Sequence, residues 1–170
     1  IEQALANLFP PEKLFATVLT AIEVDPRDKA FLKPSKPVGP VYARDEADRL
    51  AKAYGWAFGS DGTKFRRLVA SPHPKRIVRI EVIDLLVRQG VTVICTGGGG
   101  IPVVALDDGK HAGVEAVIDK DRSSALLAAQ IGADAFLALT DVEAVFSDWG
   151  TKRQARITSL TPAEARSSAF

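Results

Sequence analysis

Four consecutive glycines, Gly97 to Gly100, follow a short apolar run, Val91 to Cys95, and are closed by Ile101 and Pro102. The run is rich in β-branched residues and bounded by Gly90 and Gly97, which marks a buried strand. Four glycines in succession carry a large conformational-entropy cost. A folded chain tolerates that cost where side chains must be absent, because backbone there meets backbone or a ligand. In parallel α/β sheets ligands sit beyond the carboxyl ends of the strands, and the N–H groups of such a loop converge on anions. The plainer alternative is a flexible surface connection; the core-like strand before the loop and Ile101-Pro102 after it weigh against that.

Two familiar phosphate motifs do not fit. Counted from Gly97, the third glycine of a Gly-x-Gly-x-x-Gly fingerprint falls on Pro102, and Val103 to Leu106 reads as extended rather than helical. The pattern ending in Gly-Lys-Ser/Thr fails at Gly109-Lys110, which is followed by His111. No Gly-x-Ser-x-Gly elbow is present.

The 170 residues suffice for one domain with a substantial core. A net charge of +1 argues against a general nucleic-acid or membrane-surface binder. An aromatic content of 7% does not support a base-stacking groove, so Trp56 and Trp149 read as packing residues. The one cysteine, Cys95, excludes an internal disulfide, and its apolar strand suggests a buried, inert thiol. His73 and His111 are isolated, so no structural metal is expected. Without a bilayer-length apolar run or a signal peptide, a soluble cytoplasmic protein is expected. The chain starts at Ile1 and contains no methionine, which suggests a piece of a longer protein.

In chain order, Ile1 to Leu8 has helical spacing and is stopped by Pro10-Pro11. Leu14 to Val24 reads as one strand of the main sheet. From Asp25 to about Lys75 prolines cluster at 26, 34, 37, 40, 72 and 74, as in turns and sheet edges. Between them lie a helix, Asp45 to Tyr54, broken by Gly55-Trp56 and Gly59 to Gly62, and a short strand, Phe65 to Ala70. This stretch reads as an inserted subdomain, since structureless loops of that length are uncommon in compact domains. Ile77 to Gln89 reads as an amphipathic helix stopped by Gly90. This helix followed by the strand Val91 to Cys95 is an α-then-β step, as in a parallel sheet with helices on its faces. Asp121 is placed to begin a helix over 122–131, and Asp134 to Thr140 reads as another buried strand. Ala144 to Phe146 and Ala155 to Leu160 read as a hairpin. Thr161-Pro162-Ala163-Glu164 is a capping box opening a helix that has barely begun at Phe170.

Asp119-Lys120-Asp121 follows an apolar run at a helix start. A lysine there can hold a transferring phosphoryl group as a point charge, with helix N–H donors beside it. An adjacent aspartate can orient the lysine or hold a metal. The alternative is a solvated capping turn. Lys36, between Pro34 and Pro37, sits on a stiff arm, or is simply an exposed lysine.

Five segments occur together and in one order: ATVLTAIEVDPRDKAFLKPSKPVGPVY (16–42), ASPHPKRI (70–77), TGGGGIPVV (96–104), GVEAVIDKD (113–121) and LTDVEAVF (139–146). Together they resemble the carbamate kinases, a branch of the amino acid kinase family. The resemblance implies an α/β fold, a three-layer αβα sandwich with a mostly parallel central sheet, and a small protruding subdomain over about 25–75. Residues 1–170 would then be one partial domain. It implies reversible phosphoryl transfer between ATP and carbamate, running in the catabolic direction from ADP and carbamoyl phosphate to ATP. It also implies Mg2+ with the nucleotide and a cytoplasmic homodimer, with no nucleic-acid or membrane partner.

Carried over by position, Lys120 matches the family's phosphate-binding lysine and Asp121 the aspartate near nucleotide and metal. Lys36 matches the subdomain lysine that reaches into the site. Gly97, Gly98, Gly99 and Gly100 would line the carbamate and phosphate region. Thr140, Asp141, Val142, Val145 and Phe146 lie where the family holds nucleotide, and Phe146 stands where many relatives carry tyrosine. The family's first glycine loop and its later lysine-bearing loop have no counterpart here, so this polypeptide alone is expected to be inactive or very weak. Two other readings remain: a relative acting on another carboxylate substrate, and a non-catalytic nucleotide-binding module.

Overall fold

The structure, a computed structural model, describes residues 1–167, which fall into two units divided between Phe136 and Leu137. The first unit opens with helix α1 (Glu2–Leu8), followed by strands β1 (Phe15–Thr17) and β2 (Ala21–Val24). These are two strands in two different sheets, not the single strand expected over Leu14 to Val24. The break lies at Val18 to Thr20. Leu19 turns out to solvent there, and the Thr20 hydroxyl donates to the Val18 carbonyl at 3.0 Å, a local turn that ends the ladder.

Next come β3 (Lys36–Tyr42), helix α2 (Arg44–Tyr54), β4 (Ala57–Asp61) and β5 (Lys64–Val69). The three strands form an antiparallel sheet in the order β3-β5-β4. The proline-rich stretch is therefore a strand, and it is an edge strand. Pro37 and Pro40 have no N–H to give, and an edge is where a sheet can accommodate them. Its register with β5 skips between Val38 and Val41, where Gly39 has φ +70°. The glycines expected to break the chain over 59–62 belong instead to β4 and to the tight turn after it, with Gly62 at φ +61°. Helix α2 buries Ala47 and ends at Gly55, left-handed at φ +69°, whose N–H donates to Ala51 O at 2.8 Å.

The main sheet takes β2 together with β6 (Pro74–Ile77), β8 (Ile101–Ala105) and β9 (His111–Gly113), in the order β6-β2-β8-β9. β2 and β8 run parallel, and the flanking strands are antiparallel. Between β6 and β8 lie helix α3 (Ile80–Arg88) and β7 (Thr92–Ile94), which pairs in parallel with β1. Ile77 is a fully buried strand residue, not the first residue of a helix. Arg79, at φ +57°, turns the chain left-handed, and the helix starts only after it. Helix α4 (Lys120–Gln130) completes the unit. Ile22, Val24, Ile77, Ile83, Val104 and Ile118 form the core, and Cys95, Leu126 and Leu127 pack against it.

The second unit holds the hairpin of β10 (Val145–Ser147) and β11 (Ala155–Ile157), as expected, and helix α5 (Pro162–Ser167). The capping box is made: Thr161 N and Oγ1 each donate to Glu164 Oε2 at 2.7 Å, and Glu164 N donates to Thr161 Oγ1 at 3.2 Å. The expected continuation toward Phe170 lies outside the described residues. Asp134 to Thr140 forms no strand. It pairs with no described strand, and Leu137 and Leu139 are 81% and 96% exposed. An apolar sequence makes a buried strand only where a ladder partner is present. Among the described residues no helix is long and apolar enough to cross a membrane.

Candidate active site

The glycine loop is built by the pairing of β1 with β7. That ladder is extended by Val18 N donating to Ile94 O at 2.9 Å. Thr96, buried and at φ +59°, then turns the chain left-handed. Its N–H donates to the Thr20 hydroxyl at 2.9 Å, and its carbonyl accepts from Gly99 N at 2.8 Å. Ile101 N donates to Thr20 O at 2.8 Å and carries the loop into β8. A concavity of about 330 Å³ lies against the loop, lined by Val18, Thr20, Cys95, Thr96, Gly97 and Gly98 among others. Burial raises the Cys95 thiol pKa, in keeping with an inert role.

Two of the four glycines are dictated by packing. A Cβ on Gly100 (φ +86°) would stand 2.5 Å from Ile22 Cδ1 and 3.1 Å from Thr20 O. A Cβ on Gly99 (φ +138°) would overlap the Ile118 carbonyl oxygen. The loop thus lies backbone to backbone on Ile118, the core residue immediately before the charged turn.

That turn begins one residue later. Asp119, not Asp121, is the N-cap of α4: its Oδ1 accepts from Asp121 N at 3.0 Å and Arg122 N at 3.3 Å. Ser123, fully buried, closes the turn by donating from Oγ to Asp119 O at 3.2 Å and to Lys120 O at 3.1 Å. The first turn carries Lys120 and Asp121, both largely exposed, with Lys120 Nζ 3.2 Å from each Asp121 carboxylate oxygen. Asp119 Oδ2 accepts from Lys36 Nζ at 3.0 Å. That hydrogen bond, ahead of the backbone donors, holds the Asp119 carboxyl below the usual aspartate pKa. Lys36 and the Asp119-Lys120-Asp121 turn are thereby brought together.

The cap thus lies two residues earlier than the expected Asp121, and the lysine that Asp119 engages through Oδ2 is Lys36. The available signal was the end of the apolar run at Ile118, with Asp119 directly after it and Ser123 four residues on.

The residues expected at the nucleotide lie in the second unit. Val142 N donates to Thr140 Oγ1 at 3.5 Å, and Asp141 is exposed. Val142, Ala144, Phe146 and Trp149 line an apolar hollow of about 240 Å³, with the Phe146 and Trp149 rings 5.3 Å apart. Val145 is exposed, at the start of β10. Trp149 is itself 70% exposed, one wall of that hollow rather than a buried packing residue.

The model of the amino acid kinase family matches residues 7–170. The chain belongs to the amino acid kinase family. It is 51% identical over 162 residues to carbamate kinase from Haemophilus influenzae, covering 95% of this chain and 52% of that protein. Carbamate kinase from Escherichia coli K12 is 55% identical over 148 residues, covering 87% and 48%. Among solved structures, carbamate kinase from Giardia lamblia bound to AMP-PNP superposes with a TM-score of 0.80 at 37% identity, over 91% of this chain and 50% of that one. This amino acid kinase chain spans about half the length of the curated relatives it matches. Its mixed α/β architecture, with parallel strands and flanking helices, is the amino acid kinase fold.

Proposed function

We propose that this chain carries the central part of a carbamate kinase, which interconverts ATP and carbamate with ADP and carbamoyl phosphate. The observation that carries the reading is the convergence of an anion-suited glycine loop, a helix N-terminus and two lysines on Ile118 to Asp121. Relatives named as carbamate kinases, at about half identity, support the substrate.

In the ATP-forming direction an oxygen of the ADP β-phosphate attacks the phosphorus of carbamoyl phosphate. The P–O bond to the carbamoyl group breaks and carbamate leaves. In the reverse direction the attacking carbamate oxygen is already anionic, so no general base is required. Lys120 stabilises the oxygens of the transferring phosphoryl group, Asp121 orients Lys120, and Lys36 secures the carbamoyl end. The glycine loop gives backbone N–H groups without side chains in the way. Thr140, Asp141, Val142, Val145 and Phe146 are assigned to the nucleotide.

Mg2+ would come with the nucleotide phosphates. By the resemblance Asp121 is the carboxylate that would lie near it, and in this structure both Asp121 oxygens are 3.2 Å from Lys120 Nζ. The ion would neutralise phosphate charge. Residues 25–75 are assigned to an inserted subdomain, supported by the separate β3-β5-β4 sheet. A cytoplasmic homodimer follows from the resemblance, and light scattering on the purified protein checks it.

The test is ATP formation from ADP, Mg2+ and carbamoyl phosphate by the complete protein bearing this chain and by its Lys120→Ala variant. Formation by the first and its loss in the second is expected. Unchanged kcat in the variant rules out the role given to Lys120, and ATP formation from another acyl phosphate alone overturns the substrate.

A further inference from the structure

We infer that Asp119 is a positioning residue: its carboxylate holds the ammonium of Lys36 against the N-terminus of α4, the helix that carries Lys120. The role rests on the carbamate kinase reading, whereas the contact itself does not.

The approach of the two groups, 83 residues apart, is built into the backbone. Lys36 opens β3 opposite Val69, and Ser35 N donates to Val69 O at 3.1 Å. The next residue, Ala70, forms a parallel bridge to Ala116, and Val117 N donates to Ala70 O at 2.9 Å. Two short ladders therefore lead from Lys36 to the residues just before Ile118 and Asp119. Lys36 is anchored at its Cα, and only its side chain is left to reach.

The two carboxylate oxygens divide the work. Oδ1 receives the N–H groups of Asp121 and Arg122 and fixes the helix start. Oδ2 receives Lys36. Lys120 is occupied with Asp121, and Arg122 Nη1 lies 3.4 Å from His73 Nε2, so neither of those cations competes for Oδ2. An ammonium has three N–H donors. One serves Asp119, and with the Lys36 side chain 38% exposed the others can meet an anionic phosphoryl or carboxyl oxygen. Asp119 thus presents Lys36 to such a group while Lys36 cancels the carboxylate charge that would repel it.

The substitution that separates the two duties is Asp119→Asn, because asparagine caps a helix as well as aspartate does. The measurement is acylation of individual lysines by an acetyl succinimidyl ester in the complete protein bearing this chain, followed by peptide mass spectrometry, with and without carbamoyl phosphate. The variant should keep its helix content, with a thermal midpoint no more than a few degrees below that of the parent. Its Lys36 should label about two- to fivefold faster than in the parent, while Lys64 and Lys110 stay unchanged. Carbamoyl phosphate should slow the labelling of Lys36 in the parent. Equal Lys36 rates in parent and variant overturn the inference. Faster labelling in the variant with no effect of carbamoyl phosphate upholds the positioning role and overturns the carbamate kinase reading instead. Asp119→Ser, also a competent cap without charge, serves the same comparison if the asparagine variant does not fold.

Discussion

The start of β3 and the first turn of α4 each present one lysine, and they hold it in different ways. Lys120 is held by its own neighbour, Asp121, on a turn anchored through Ile118 to the core and backed by Gly99. Lys36 stands at the edge of a separate small sheet and is held across 83 residues by Asp119. One lysine is placed by local structure; the other is placed by tertiary pairing between distant strands. A site that must grip a transferring group and still admit and release substrate uses both kinds of support.

The sharpest way to break the local half is Gly99→Ala. Both the left-handed backbone and the overlap with the Ile118 carbonyl oppose any side chain. The loss should be about 3 kcal/mol or more, enough to threaten folding. Gly98→Ala meets nothing within 4 Å and should cost under about 0.5 kcal/mol. Urea unfolding of the two variants checks the contrast. Equal midpoints would mean that the loop does not rest on Ile118.

The next comparison sets the two lysines against each other in the complete protein. On the role proposed for Lys120, Lys120→Ala should lower kcat about a hundredfold or more, as for the loss of a preorganised donor to the transition state. On the role proposed for Lys36, Lys36→Ala should lower kcat and raise KM together, by about tenfold overall in kcat/KM, because a donor at the carbamoyl end contributes to binding as well as to rate. Steady-state kinetics separate the two patterns, and identical patterns would erase the distinction.

What was legible in the sequence was local. The strand and glycine loop, helix α2, the Val145–Ile157 hairpin and the Thr161–Glu164 capping box each carry their signal within a few residues. What was not legible depends on partners far along the chain. Ile77, Ile80 and Ile83 keep helical spacing although a left-handed Arg79 divides them into strand and helix, and only the pairing of Ile77 with Ile22 settles that. Asp134 to Thr140 has the composition of a strand but meets no ladder. Lys36 and the charged turn were each recognisable alone. Their contact through Asp119 was not, since it arises from the Val69 and Ala116 pairings.

The smallest effect is the pH dependence of the tertiary half. The Asp119 carboxyl lies below its ordinary pKa, chiefly because Lys36 donates to it, so the unfolded chain binds more protons than the folded one below about pH 4. The stabilisation is present above the unfolded aspartate value and is lost as pH falls through the folded one. Asp25, set to about 2 mainly by the hydrogen bond from Lys75, adds a slope of the same sign. The Asp119→Asn variant isolates the first contribution. Its difference in stability from the parent should be near zero at the acid end and grow to a few tenths of a kcal/mol, at most about 1, above about pH 5, as for a part-exposed ion pair. Urea midpoints measured across that range decide it. A constant difference would mean that the Asp119 carboxylate gains no stability from its charge, and that Lys36 is placed by its strand alone.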